Sequence, residues 1–416
     1  MSSRVVFVLG ITCNGLSVVR SLGRRGVRVV AVDSDVKRAG LSSRYAKKVV
    51  APANIIDDES PWLDFLVGLA SEESGKPILF PTEDAYVLFI AKHRVKLSAY
   101  FDFNLAQDAI VQASVSKLGT YDLAIENGIP TPWTFLVRTF DDYEQVRDRV
   151  SFPCALKPSL AHVWLKNYTH EKLLVIERPE QLRERLVELM ELGIEVILQE
   201  IIPGGDEQVY VFGVYVGGGG RVMGHCVMHK VRQWPVDFGV GAFCVSVEDS
   251  ACAETALRML ERSGYRGMAS TEYMLDPRDG LYKLIDINPR TCMIGELAVA
   301  SGVDLPYLYY CDVVGLEPPP VISVNLGMKW SCFEWDLKSF LEHRRRGELT
   351  LRGWRASLRG QRVFAYYARD DMKPFMVAGV RFVQRLIRRV LRVGRRQRRP
   401  TASQGAGSRS HSAGAP

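Results

Sequence analysis

Residues 281–290 read LYKLIDINPR, the stretch ahead of them, 268–276, reads MASTEYMLD, and PRDG lies between. Two short apolar runs around a Pro/Asp/Gly turn predict a β-hairpin. Residues two apart on a strand share a face, so Asp286 and Asn288 point together and Arg290 follows them. Glu272, on the paired strand, adds a second carboxylate. Two carboxylates and an amide oxygen on one face suit an octahedral Mg2+ shared with a phosphate. Alternating polar residues on a strand are usually a solvated face. Here the flanks, LYKLI before and MIGELAVA after, are apolar, which argues against that reading.

The chain around this hairpin has 416 residues, 47% hydrophobic and 24% charged, the make-up of a globular protein. At roughly 100–200 residues per domain it should fold as two to four structural units. Its net charge of +7 is unevenly spread. From Met372 to Pro416 there are Lys373, ten arginines and no acid; without those eleven, 43 basic residues face 47 acidic ones. A mildly acidic globule with a basic tail is not a whole-chain nucleic-acid binder. The eight cysteines are scattered, without C-x-x-C pairs or His at ligand spacing, and read as buried thiols of a reducing compartment. MSSRVVFVLG runs almost directly into an apolar strand, and no run of about 18 apolar residues follows. A cytoplasmic protein is expected.

Residues 4–33 read strand, Gly-containing turn, amphipathic helix, strand, and ILFPTEDA (78–85) repeats the hand-over from strand to helix. This predicts an open α/β sheet in residues 1–112. Its Gly10-to-Gly15 turn, with Asp33 at a strand end, imitates a dinucleotide fingerprint but lacks the G-x-G-x-x-G core, and no P-loop follows. Asp84, at a strand's C-terminal end, is a candidate to hold a substrate amine, with a helix N-cap as the competing explanation. Further on come a helix opening at Lys117, a strand FPCALKP carrying Lys157, a strand ending in Leu198-Gln199-Glu200-Ile201, and a GGGG hairpin whose return strand carries Lys230 and Arg232.

This order of residues resembles the ATP-grasp superfamily over about residues 4–315. FPTEDAYVLFIAKHR, KPSLAHVW, HKVRQWP and YARDDMKPF look most like its carboxylate–amine ligases of the D-aspartate-ligase-like group. The resemblance implies an α/β (α+β) chain: a Rossmann-like pre-ATP-grasp domain (1–112), ATP-grasp subdomains at 113–198 and 199–318, and an extension at 319–372. ATP and Mg2+ are the implied cofactors, with Mn2+ as an alternative ion. Lys117 and Lys157 would contact the nucleotide phosphates. Gln199, Glu200 and Ile201 would form the hinge that reads adenine, Glu200 by its carbonyl and Ile201 by its amide. Glu207 would accept from the ribose. Glu272, Asp286 and Asn288 would hold Mg2+, while Arg290, with Arg232 and Lys230, would face the reacting phosphate or acceptor carboxylate. The implied reaction joins a small-molecule carboxylate to an amine, such as an amino acid, through an acyl phosphate. A kinase or carboxylase-type activation, or a silent nucleotide-binding protein, remain the alternatives.

Two departures stand out. The lid loop, often glycine-rich in the family, is SLAHVWLKNYTH at 159–170, so His162 and Trp164 are candidate substrate contacts in its place. Asp286 stands where many relatives carry Glu. Beyond the match, residues 373–400 form a basic amphipathic helix, and 401–416 are low complexity and expected to be disordered. The helix suits either an anionic membrane surface or docking on the body with its arginines in water.

Overall fold

The computed structural model describes residues 4–158, 173–320 and 323–397. Four parallel strands, β1 (Val6–Leu9), β2 (Val29–Asp33), β3 (Lys47–Val50) and β4 (Ile78–Pro81), form the first sheet in the order β3-β2-β1-β4. β1 and β2 are buried at every position, as near-continuous Val/Leu runs between two helical layers should be. The chain winds outward through β1, β2 and β3, then crosses to β4, so the order reverses between β1 and β4. In open α/β sheets the carboxyl ends beside such a switch point form the ligand crevice.

The crevice lip is tightly built. Thr82 donates from Oγ1 to the Gly10 carbonyl at 2.6 Å, and Asn14 donates to the Thr82 carbonyl at 2.6 Å. Gly10 has φ +87°, and at Gly15 a Cβ would lie 2.0 Å from the Gly10 oxygen, so the turn closes only on glycines. Asp33, the mimic of a ribose-binding acid, is buried and accepts from the Ile11 and Asp35 amides at 2.7 and 2.9 Å. It holds this loop together.

A second sheet takes β5 (Thr134–Val137), β6 (Cys154–Pro158), β7 (Leu174–Ile176) and β8 (Val196–Glu200) in the antiparallel order β5-β8-β6-β7. Cys154, Leu156 and Leu198 pack its core face with the Pro179–Glu191 helix. Alternation then turns Lys157 and Gln199 to the opposite face.

The third sheet has seven strands. β9 (Val209–Val216), β10 (Val222–Trp234), β11 (Val240–Val247), β12 (Gly267–Leu275), β13 (Tyr282–Asn288), β14 (Lys329–Ser331) and β15 (Arg362–Phe364) take the order β13-β12-β9-β10-β11-β14-β15. The expected hairpin is β12–β13, with Glu272 directly opposite Asp286 and Ser270 opposite Asn288.

The C-terminal segment is sewn to the first sheet. Arg20, inside the Cys13–Arg24 helix, pairs with Asp371 at 3.0 Å, both side chains being 1% exposed. The Lys373–Gln397 helix then lies against residues 35–39 and 333–335. It docks with a polarity opposite to the expected one: Arg381 donates to the Lys37 carbonyl and Arg385 pairs with Glu334, while Met376, Val380, Val383 and Ile387 are each more than half exposed. Among the described residues no helix is long and apolar enough to cross a membrane.

Candidate active site

The site forms where the β12–β13 hairpin meets the Lys117–Glu126 helix and the β6–β8 face. Ser116 caps that helix, its Oγ accepting from the Gly119 amide at 3.3 Å. Lys117 is therefore in the first turn, where the helix dipole disfavours a cation. The offsetting anion is Asp286, 3.0 Å away. Burial lowers the Lys117 pKa, but the Asp286 carboxylate outweighs burial and the net shift is upward. The helix is pinned to β13 by the Tyr121 hydroxyl, which donates to the Ile285 carbonyl at 3.1 Å.

Lys157 faces Lys117 from the other sheet. It donates to the Gln199 side-chain oxygen, its diagonal neighbour on β8, and the Gln199 amide is held by Thr134 Oγ1 at 3.0 Å. Burial, with the positive charge of Lys117 adding to it, pulls the Lys157 pKa down to about 8. Glu200 is less available than its neighbour. Its carboxylate accepts from Arg278 and the Trp133 amide and lies 3.4 Å from Lys283, so its side chain is spent tying β8 to the β12–β13 turn. Only the main chain of Glu200–Ile201 is left to face a ligand. Glu207 stands exposed on the short Asp206–Gln208 turn, where His229 Nε2 lies 2.8 Å from its carbonyl.

On the hairpin, Asn288 donates to Asp286 at 3.2 Å and its Oδ1 accepts from Arg290 at 2.8 Å. Arg290 also grips Asp84 through two bonds, 2.7 and 3.0 Å. Asp84 is the first helical residue, after an N-cap at Glu83 without a side-chain cap bond. The N-cap explanation of Asp84 is thus overturned: Arg290 takes its carboxylate instead. Lys230 is buried and bonds Glu272 at 2.6 Å; burial lowers its pKa and Glu272 raises it by more.

Arg232 is not brought into this group. A bulge shifts the β10–β11 register between Lys230 and Arg232, so that Arg232 opposes Phe243, stacks over its ring at 4.3 Å and pairs with Asp336 at 2.6 Å. Bulges re-aim side chains in this way, and nothing in HKVRQWP signals one. His162 and Trp164 lie outside the described residues. The Asp276–Arg278–Lys283 cluster that holds Glu200 was missed. Lys283 is 2.6 Å from Asp276, whose pKa the Arg278 hydrogen bonds hold well below the carboxylate range. Its only sequence signal was the charged turn DPRDG.

Among the described residues no three His, Cys, Asp or Glu side chains come together as a ready metal cage. Glu272, Asp286 and Asn288, two carboxylates and an amide, are the donors proposed on this part of the hairpin. All-oxygen and few, they fit an ion such as Mg2+, which keeps waters and shares a nucleotide's phosphates. All eight cysteines are free, and burial raises their thiols, Cys154 to about 12, so none is poised as a nucleophile.

No family model matches the chain. It is 27% identical over 325 residues to the D-aspartate ligase of Enterococcus faecium, covering 74% of this chain and 77% of that protein. The biotin carboxylase domain of Hydrogenobacter thermophilus 2-oxoglutarate carboxylase, solved with MgADP, superposes with TM-score 0.59 at 13% identity over 77% of this chain and 72% of its own. The L-amino acid ligase of Bacillus licheniformis gives 0.55 at 15% identity over 75% and 74%. The fold is therefore that of the ATP-grasp enzymes. In sequence the chain is similar to a carboxylate–amine ligase of that superfamily, the D-aspartate ligase, and it is this likeness that supports an ATP-dependent ligase.

Proposed function

We propose that Mg·ATP enters between the Lys157 face of β6–β8 and the Glu272–Asp286–Asn288 face of the hairpin. One observation carries this. Both hairpin carboxylates are paired with lysines, Asp286 with Lys117 at 3.0 Å and Glu272 with Lys230 at 2.6 Å. With Mg·ATP bound, the exposed Asp286–Lys117 pair would exchange partners, Asp286 facing the ion and Lys117, with Lys157, the phosphates, so that neither charge is left alone. Lys230, two strands from the hairpin edge, keeps Glu272 oriented. Gln199 to Ile201 read adenine through the main chain, and Glu207 accepts from the ribose. Glu272, Asp286 and Asn288 would hold the Mg2+, which would supply Lewis-acid neutralisation of the phosphate charge.

A substrate carboxylate, drawn to Arg290, attacks the γ-phosphorus; a carboxyl O–P bond forms and the bond to ADP breaks. Arg290 then stabilises the developing oxyanion. An amine attacks the acyl carbon, phosphate leaves, and the amine gives up a proton. The Asp84 carboxylate is the group that orients the amine. Amino acids are the substrate class, with aspartate among the first to try, since the Enterococcus faecium relative is a D-aspartate ligase. ADP release should require both a carboxylate and an amine, with the amide visible by mass spectrometry. ADP release that needs no amine would point instead to kinase or carboxylase-type chemistry.

The enzyme works at the inner face of an anionic membrane, held peripherally by the C-terminal helix. Met376, Val380, Val383 and Ile387 recur at helical spacing as one exposed stripe on an acid-free basic segment. Vesicles of phosphatidylglycerol and phosphatidylcholine should retain the full chain better than residues 1–372; equal retention would remove this assignment.

A further inference from the structure

The docked side of the C-terminal helix roofs a cavity of about 420 Å³ that has no part in the chemistry above. Its floor and walls come from the first sheet's Ile11–Thr12 turn, the Arg38–Ala39 turn and the segments 331–335 and 364–367. Phe333, Trp335, Phe364, Tyr367, Phe375 and Phe382 line it, an aromatic surface that suits an apolar body.

Two observations indicate that this space is meant for a ligand. The first is Gly379. It lies inside the helix, where glycine is unfavourable, and a Cβ there would meet nothing within 4 Å. No close packing demands the missing side chain; what glycine leaves is room in the cavity it lines. The second is Arg38, whose Nε is buried without a hydrogen-bond acceptor. Asp33 and Asp35 come no nearer to it than 3.6 and 3.9 Å. The other two lining arginines are already engaged, Arg381 with the Lys37 carbonyl and Arg385 with Glu334. Of the three, Arg38 is the one whose buried Nε has no hydrogen bond, with Asp33, Asp35 and Glu83 standing off at 3.6, 3.9 and 3.8 Å, and the complement of that donor is a closer anionic oxygen.

We infer that the cavity is a binding site for an amphiphilic acid, its apolar or aromatic body between the aromatic side chains and its acidic oxygens on Arg38. Arg38 also lies 3.8 Å from Glu83, the neighbour of the Asp84 that Arg290 grips, so the acid group would sit beside the reaction centre. The site itself does not depend on the ligase reading, and its test uses no nucleotide.

The probe is 8-anilinonaphthalene-1-sulfonate, an aromatic body with one anion, titrated by fluorescence into the full-length protein. Dodecanoate should displace it, and dodecanol should not. Gly379→Leu fills the space while improving the helix, and should weaken probe binding more than tenfold with unchanged circular dichroism. Gly379→Ala should stay within about twofold of the natural protein. Arg38→Met should cost about tenfold, the worth of one charged hydrogen bond. Undiminished binding by Gly379→Leu would overturn the cavity as the site. Displacement by dodecanol as effective as by dodecanoate would overturn the acid.

Discussion

Two pairings of a carboxylate with a cation hold this molecule together in different senses. At the seam, Arg20 and Asp371 are each 1% exposed, and their polar atoms are well supplied. Asp371 Oδ2 also accepts from Ser43 at 2.7 Å and Oδ1 from the Arg44 amide at 3.0 Å, while Arg20 donates to the carbonyls of Tyr366 and Asp371. In the cleft, Asp286 and Lys117 are 30% and 56% exposed and joined by one 3.0 Å bond, with Asn288 the other donor to Asp286. The chemistry is the same and the surroundings differ. A buried, fully bonded pair cannot change partners without leaving a charge in low dielectric, whereas a wet pair can. The seam is permanent architecture; the cleft pair stands ready to be exchanged for a ligand.

The comparison breaks first at the seam. Asp371→Ala leaves Arg20 buried and unpaired, which should cost about 3–5 kcal/mol of stability, read as a lowered denaturant midpoint. A loss below about 1 kcal/mol would mean that the seam is no more committed than the cleft.

At the cleft the effects should be reversed. Asp286→Ala removes a wet pair, so stability should change by no more than about 1 kcal/mol. ADP release should fall about 10²–10³-fold, the usual scale for losing one electrostatic element of a reaction centre. Equal turnover would remove the hairpin from the chemistry. A large fall in stability would make Asp286 a seam residue in its own right.

The two regions were also unequally legible. The hairpin could be read because its information is local: a two-residue period, a Pro/Asp/Gly turn and charges where the flanks are apolar. Lys117 was legible only through the resemblance to the ATP-grasp superfamily, although a cation in a helix's first turn, contrary to the local rule, was a signal that could have marked it. Arg20 and Asp371 are 351 residues apart, and nothing in a single sequence couples them. Arg232 looked equivalent to Lys230 because a bulge has no signature in side-chain alternation. Asp84 read equally as a substrate contact and as a cap, because Pro-Thr-Glu-Asp before a helix usually supplies one, and only the fold brings Arg290 to it. The outward apolar stripe of the C-terminal helix was visible in the periodicity, but which side docks was set by where Asp35 and Glu334 lie.

Lys157 sharpens the comparison further, because it is a cleft cation with no carboxylate of its own. Burial and the charge of Lys117 lower its pKa from the ordinary 10.5 to about 8, and Asp286 recovers only part of this. The charged lysine is thus favoured in the unfolded chain, which binds more protons than the native one between about pH 8 and 10.5. Lys157 therefore costs stability below pH 8, and that cost is relieved as pH rises through this window. Binding runs the other way. If the charged form is the one that accepts a phosphate, the competent fraction falls from about nine-tenths at pH 7 to about one-tenth at pH 9. The apparent Kd for ATP should then rise about tenfold, and binding near pH 8 should take up a proton, seen as a buffer-dependent enthalpy in calorimetry. Lys157→Arg, charged throughout, should flatten this profile, and Lys157→Gln should bind weakly at both pH values. A tenfold change that persists in Lys157→Arg would assign the titration to another group and leave Lys157 with only its bond to Gln199.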